Sequence, residues 1–98
     1  MTYKIRETEY FSKWLYKLKD IKAKVAILRR IERMKNGNFG DHKSLCDELS
    51  ELRFTLGAGY RVYYTIRDKE IIILLLGGDK STQAKDIEKA IKVLKELK

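Results

Sequence analysis

Apolar positions recur with two different periods along this chain, and the change of period divides it. From Glu9 onward, Phe11, Trp14, Leu15 and Leu18 fall at i, i+3, i+4 and i+7, the stripe of an amphipathic helix. Residues 21–36 repeat that spacing, with Ile21, Val25, Leu28, Ile31 and Met34 as the expected apolar face. Asp20 lies between the two runs, where a carboxylate can end one helix and cap the next. The stretch NGNFGD (36–41) stops the second helix, because Asn and Gly tolerate left-handed backbone. The two runs therefore predict a helical hairpin. Ahead of it, YKIRET (3–8) has Ile5 as its only aliphatic residue and reads as an opening strand.

Beyond a loop over 37–48 the period becomes two. In ELRFTL, Leu52, Phe54 and Leu56 alternate with Glu51, Arg53 and Thr55. In YRVYYTI, Tyr60, Val62, Tyr64 and Ile66 alternate with Arg61, Tyr63 and Thr65. GAG (57–59) is the turn between them, since glycine supplies positive φ. RDKE (67–70) is the next turn. IIILLL (71–76) is apolar on both faces and reads as a central strand covered on both sides. After GGD (77–79), a last helix over 81–98 carries Ile87, Ala90, Ile91, Leu94 and Leu97, with Ser81 or Thr82 as its N-cap. The order is β-α-α-β-β-β-α, an α+β domain with a small antiparallel sheet and the helical hairpin on one face.

Alternation then assigns faces. Leu52, Phe54, Leu56, Val62, Tyr64 and Ile66 should face the helices, which leaves Arg53, Thr55, Arg61, Tyr63 and Thr65 on the opposite face. Two arginines on neighbouring strands form a rigid anion-binding surface, because the guanidinium fork can hold two phosphate oxygens at once. They can equally be solvated charges paired with Glu48 or Glu51. Lys80 stands ahead of the last helix, where the helix N-terminus also attracts anions, and Lys43 stands in the loop before the arginine strand. Tyr63 can stack on a base or serve as a cross-strand neighbour. Lys85, Lys89 and Lys92 share one face of the last helix, as a solvated stripe or a phosphate-tracking patch. Asp79 reads as a turn residue that can orient Lys80.

The chain has 98 residues, enough for one domain and one core, and a formal net charge of +8. A charge this positive favours a polyanionic partner such as nucleic acid. One cysteine and one histidine exclude an intrachain disulfide, a cysteine-based metal site and a histidine pair. Cys46 reads as a small, partly buried side chain, and His42 as a loop residue without a partner. MTYKIRETEY has no apolar run of signal-peptide type and the longest apolar run is too short for a bilayer, so a cytoplasmic location is expected. No nucleotide-loop, nucleophile-elbow or CxxC motif is present. An enzyme built from these residues would work without metal or cofactor, through cationic groups. Phosphodiester transesterification in RNA suits such groups, since charge builds on the phosphorane oxygens.

FSKWLYKLKD, RIERMKNGNFGDHKSL, ELRFTLGAGYRVYY and ILLLGGDKSTQAKDIEKA, in this order, resemble the RelE/ParE toxin superfamily, and within it the HigB-like addiction-module killer proteins. The resemblance runs from about Phe11 to Leu97. It implies a RelE-like fold and the toxin of a type II toxin–antitoxin pair, held by an antitoxin that carries a helix-turn-helix domain. It also implies a ribosome-dependent mRNA endoribonuclease that inhibits translation, monomeric apart from its antitoxin complex. The site residues that it carries over are Arg53, Arg61 and Lys80 as catalytic, with Lys43 as an addition; Lys43 is taken as RNA-binding together with Tyr63 and Lys85, which the residue pattern alone puts forward. The ParE branch instead implies a gyrase-binding toxin, and the charge alone allows a non-catalytic nucleic-acid-binding module. The chain departs from the family pattern at Ala58, where proline is usual, in the acidic stretch LCDELSELR, and in lacking a tyrosine near its C-terminus.

Overall fold

The computed structural model describes residues 2–97. Five strands form one sheet: β1 (Lys4–Glu7), β2 (His42–Cys46), β3 (Leu49–Arg53), β4 (Arg61–Arg67) and β5 (Ile71–Gly78). Their order across the sheet is β1-β5-β4-β3-β2. β2 to β5 form an antiparallel meander, and β1 joins it parallel to β5. The helices are α1 (Glu9–Lys17), α2 (Ile21–Lys35) and α3 (Gln83–Glu96), the last preceded by a 3-10 turn at Lys80–Thr82. The predicted end of the last helix at Lys98 lies outside the described residues.

The expected hairpin is present. Thr8 caps α1 by accepting from the Phe11 N–H at 3.2 Å, and Asp20 caps α2 by accepting from the Ala23 N–H at 3.1 Å. The face that α2 buries differs from the expected one. Met34 and, partly buried, Ile31 join the core as expected, but Ile27 packs with Met34 against Phe11, Leu52, Phe54, Val62 and Tyr64 and Ala23 is buried, whereas Ile21, Val25 and Leu28 stay exposed. Both sets fit a helical period. The sequence therefore offers two apolar stripes on one helix, and packing on the sheet selects the one that contains the small Ala23.

The loop expected over 37–48 contains a strand. β2 pairs with β3 through the two-residue connection Asp47–Glu48, with Asp47 at a φ of 24°. It is an edge strand with exposed side chains except Leu45, so no alternation marks it in the sequence. β3 correspondingly starts at Leu49 and ends at Arg53, earlier than ELRFTL suggests.

The odd-numbered face of β3 and β4 is not open. α3 packs across it, and Tyr63, Leu49, Leu75 and Leu76 are buried against Ala90 and Val93. A register shift lets β5 serve both layers: Tyr63 pairs with Leu76 and Tyr64 with Leu74, leaving Leu75 as the extra residue of a bulge. Ile72 and Leu74 thus join the α1–α2 core while Leu75 and Leu76 join the α3 core. The expectation that IIILLL is covered on both faces holds for this reason. Ile66, expected in the core, keeps 36% of its surface exposed.

Gly77 and Gly78 end β5 where both layers close in. A Cβ on Gly77 would fall within the Trp14 indole, and one on Gly78 would meet the Asp86 carboxylate. Gly77→Ala is therefore expected to destabilise the protein by about 1–3 kcal/mol, through overpacking against a ring that the sheet cannot yield to. Urea unfolding followed by Trp14 fluorescence measures it, and an unchanged midpoint would contradict the close approach.

Candidate functional site

Where β3 ends and β4 begins, Arg53 and Arg61 are direct cross-strand partners in register. Like charges placed opposite each other on a sheet repel, so this pairing costs stability rather than adding it. The two line an open cleft of about 570 Å³, together with Asp41, Gly59 and Lys80. The elements that meet there are the start of β2, the end of β3, the GAG turn, the start of β4 and the 3-10 turn after β5.

Each cation is held differently. Arg53 pairs with Asp41, Nη2 to Oδ1 at 3.4 Å. Arg61 donates Nη1 to two carbonyls of its own turn, Gly59 at 3.1 Å and Tyr60 at 3.2 Å. Nε of both arginines is buried and has no partner. Among the described residues no carboxylate lies within ion-pair distance of Arg61 or Lys80. The Lys80 N–H donates to the Ala58 carbonyl at 3.4 Å, which ties the lysine to the GAG turn. Gly59 takes a φ of +72°, and a Cβ there would press on the Lys80 side chain. Asp79 organises the 3-10 turn by accepting from the Ser81 N–H at 2.9 Å and the Ser81 hydroxyl at 2.6 Å. The Ser81 hydroxyl bond, followed by backbone N–H bonds, holds the Asp79 carboxyl below its ordinary pKa. Asp79 therefore orients Lys80 through the backbone, with no ion pair to it.

Two residues that frame the cleft escape a sequence reading. Asp41 is its only lining carboxylate among the described residues. Arg30 of α2 lies behind it and donates to the carbonyls of Phe39 (3.3 Å), Asp41 (3.2 Å) and Arg53 (3.3 Å), with its guanidinium 4.4 Å from the Phe54 ring centroid. Burial lowers the Arg30 pKa and the Asp41 charge opposes that shift. The available signal for Arg30 was a charge three residues after Ile27 and four before Met34, on the stripe that α2 buries.

The other expected site residues lie elsewhere. Tyr63 is fully buried beneath α3, so its ring cannot stack on a base. Burial first, then the Glu51 and Asp86 carboxylates, push its hydroxyl pKa far above the ordinary range, which opposes its ionisation. The cause is α3, which the alternation argument left out. Lys43 stands on β2 opposite Glu51 and does not line the arginine cleft. Glu51 is itself buried and accepts from the Gln83 amide at 3.2 Å. Lys85 is exposed on α3, away from the cleft lining, and Lys89 lies over the Tyr10 ring at 4.7 Å. Cys46 is exposed, not partly buried. Among the described residues no group of His, Cys, Asp and Glu could hold a metal ion, and no helix is long and apolar enough to cross a membrane.

Residues 13–98 match the family described as phage derived protein Gp49-like (DUF891). The chain belongs to that family. An uncharacterized protein of Haemophilus influenzae (strain ATCC 51907 / DSM 11121 / KW20 / Rd) is 50% identical over 97 residues, covering 99% of this chain and 98% of that protein. Among solved structures, a mutant of the E. coli toxin RelE in the free state superposes with a TM-score of 0.69 at 14% identity, covering 91% of this chain and 98% of that one. The fold of this Gp49-like protein is thus RelE-like.

Tyr63 supplies a test of this division between cleft and core. Its hydroxyl is buried with no partner. Removing an unsatisfied buried group of this kind is neutral or stabilising. Tyr63→Phe is expected to match or exceed the wild-type unfolding midpoint and to leave any cleft activity unchanged. A large loss of activity in a stably folded Tyr63→Phe would return the tyrosine to the site.

Proposed function

We propose that this protein is the toxin of a toxin–antitoxin pair and acts as a metal-independent endoribonuclease on mRNA at the ribosome. The observation that carries the reading is the register pairing of Arg53 with Arg61 at the mouth of an open cleft, with Lys80 on its rim. The Gp49-like family and the RelE-like fold support it. A phosphate in the cleft offsets the repulsion between the two arginines, and the parts of their guanidinium groups that line the cleft supply donors for its oxygens.

In the proposed reaction the RNA 2′-oxygen attacks the adjacent phosphorus and the bond to the 5′-oxygen breaks. The products are a 2′,3′-cyclic phosphate and a 5′-hydroxyl. Arg53 and Arg61 stabilise the charge that builds on the phosphorane, and Lys80 binds the same phosphate. Asp41, the lining carboxylate, accepts the 2′-proton, and a group outside the cleft lining or water protonates the leaving oxygen. The net charge of +8 favours docking on ribosomal RNA. The partner we assign is an antitoxin, and the exposed Ile21, Val25 and Leu28 on α2 offer it an apolar surface.

Primer extension on a reporter message, after brief expression with and without translation, tests this reading. Wild type is expected to cut only translated message. Arg61→Ala is expected to lower cutting by about 100-fold or more with the fold intact. Asp41→Asn should slow cutting while retaining phosphate binding. Intact message alongside growth arrest would refute the nuclease and direct attention to gyrase.

A further inference from the structure

A second cavity, of about 320 Å³, opens on the α2 side of the sheet at the β2 edge. Phe39, His42, Ser44, Ser50, Tyr64 and Ile66 line it. The helical hairpin leaves this corner uncovered: Ile66 is 36% exposed, and His42 and Ser44 are exposed. The Phe39 ring stacks on Tyr64 with centroids 5.7 Å apart and planes at 27°, and the His42 ring lies 5.7 Å from Phe39 on the other pairing. Three aromatic rings thus run from the buried core out to the surface.

The polar groups around these rings are placed by register. Ser44 and Ser50 are cross-strand partners, and Ser50 is in turn the partner of Tyr64. Burial raises the Tyr64 hydroxyl pKa, and a hydrogen bond with Ser50 opposes this. His42 Nδ1 lies 2.8 Å from the Gly40 carbonyl, which can only accept. Nδ1 therefore carries the proton in the neutral ring, and Nε2 is left as an acceptor. Lys43 adds a cation to the lining, and among the described residues no carboxylate contributes to it.

We infer that this groove is a nucleobase subsite, taking a base of the single-stranded RNA whose phosphate the arginines hold. The inference rests on the endoribonuclease reading, which it extends from phosphate chemistry to base contact. Flat aromatic surface with a few hydroxyls is the chemistry that holds an unstacked base. Charge favours RNA over a peptide, since the lining holds a lysine and, among the described residues, no carboxylate. Asp41 lines the cleft and the next residue, His42, lines the groove, so the two sites flank the start of β2. Lys43 and the net charge of +8 suit the same strand.

The test separates base from backbone. An end-labelled 2′-O-methyl hexa-adenosine cannot be cleaved, and an abasic strand of the same length carries the same phosphates. Fluorescence anisotropy at low salt compares their affinities, and the His42 imidazole resonances report the groove. The adenine strand is expected to bind at least about 5-fold tighter than the abasic one, as one stacked base provides. It should shift the His42 signals where the abasic strand does not. His42→Ala should remove the preference and leave abasic binding unchanged, and His42→Phe should restore it. Arg61→Ala should weaken both strands together. Equal affinity for the two strands, or a preference that survives His42→Ala, overturns the subsite while leaving the arginine cleft standing. Binding that ignores Arg61, or absent for both strands, overturns the subsite and the nuclease reading together.

Discussion

Everything functional in this molecule is placed by one packing constraint: a sheet of five strands is buried on both faces. The α1–α2 hairpin covers one face and α3 the other. The middle of the sheet is therefore closed to ligands whatever residues it carries, as Tyr63, Glu51 and Thr65 show by being buried on the side that alternation alone would leave open. Chemistry is confined to the periphery. One such place is the end where β3 stops and β4 starts, and the other is the corner that the hairpin does not reach.

At the first of these places the structure accepts unfavourable electrostatics. Arg53 faces Arg61 across the strands, and the surroundings hold the pair in position without neutralising it. Asp41 answers only Arg53. Arg30 adds a third guanidinium behind the cleft, hydrogen-bonded to three backbone carbonyls and set over the Phe54 ring. Asp20 performs a similar service at the turn. One carboxylate oxygen caps α2, and the other accepts from the Tyr60 hydroxyl at 3.2 Å. Helix hairpin and turn are thereby locked together, and the positive field of the cleft is preformed and not assembled on binding.

Much of this was legible in the sequence, and the parts that were not share a cause. Period-two alternation placed Arg53 and Arg61 on one face because a strand has only two faces. Pattern placed Lys80 between the last strand and the last helix. The same reasoning failed for α2, because Ile21–Val25–Leu28 and Ala23–Ile27–Met34 both satisfy a helical repeat and only the partner surface chooses. It failed for β2, because an exposed edge strand has no buried face to imprint a pattern. It failed for Tyr63, because local periodicity says which residues share a face and nothing about what covers it. Arg30 and Asp41 act through backbone contacts and through proximity between distant segments, and the one short-range trace of either is the place of Arg30 on the stripe that α2 buries.

The parallel pairing of β1 with β5 has a consequence for how the protein comes into being. The Thr8 hydroxyl donates to the Leu75 carbonyl across 67 residues of chain, and Lys80 reaches the cleft from later still. Closing so long a loop comes late in folding, since its entropy must be met before the contact rewards it. During synthesis the hairpin can form as soon as it emerges, but the sheet cannot be completed, nor the cleft assembled, until the last quarter of the chain is free. A nascent copy of this protein thus has no assembled arginine cleft until β5 and the segment carrying Lys80 are free to fold.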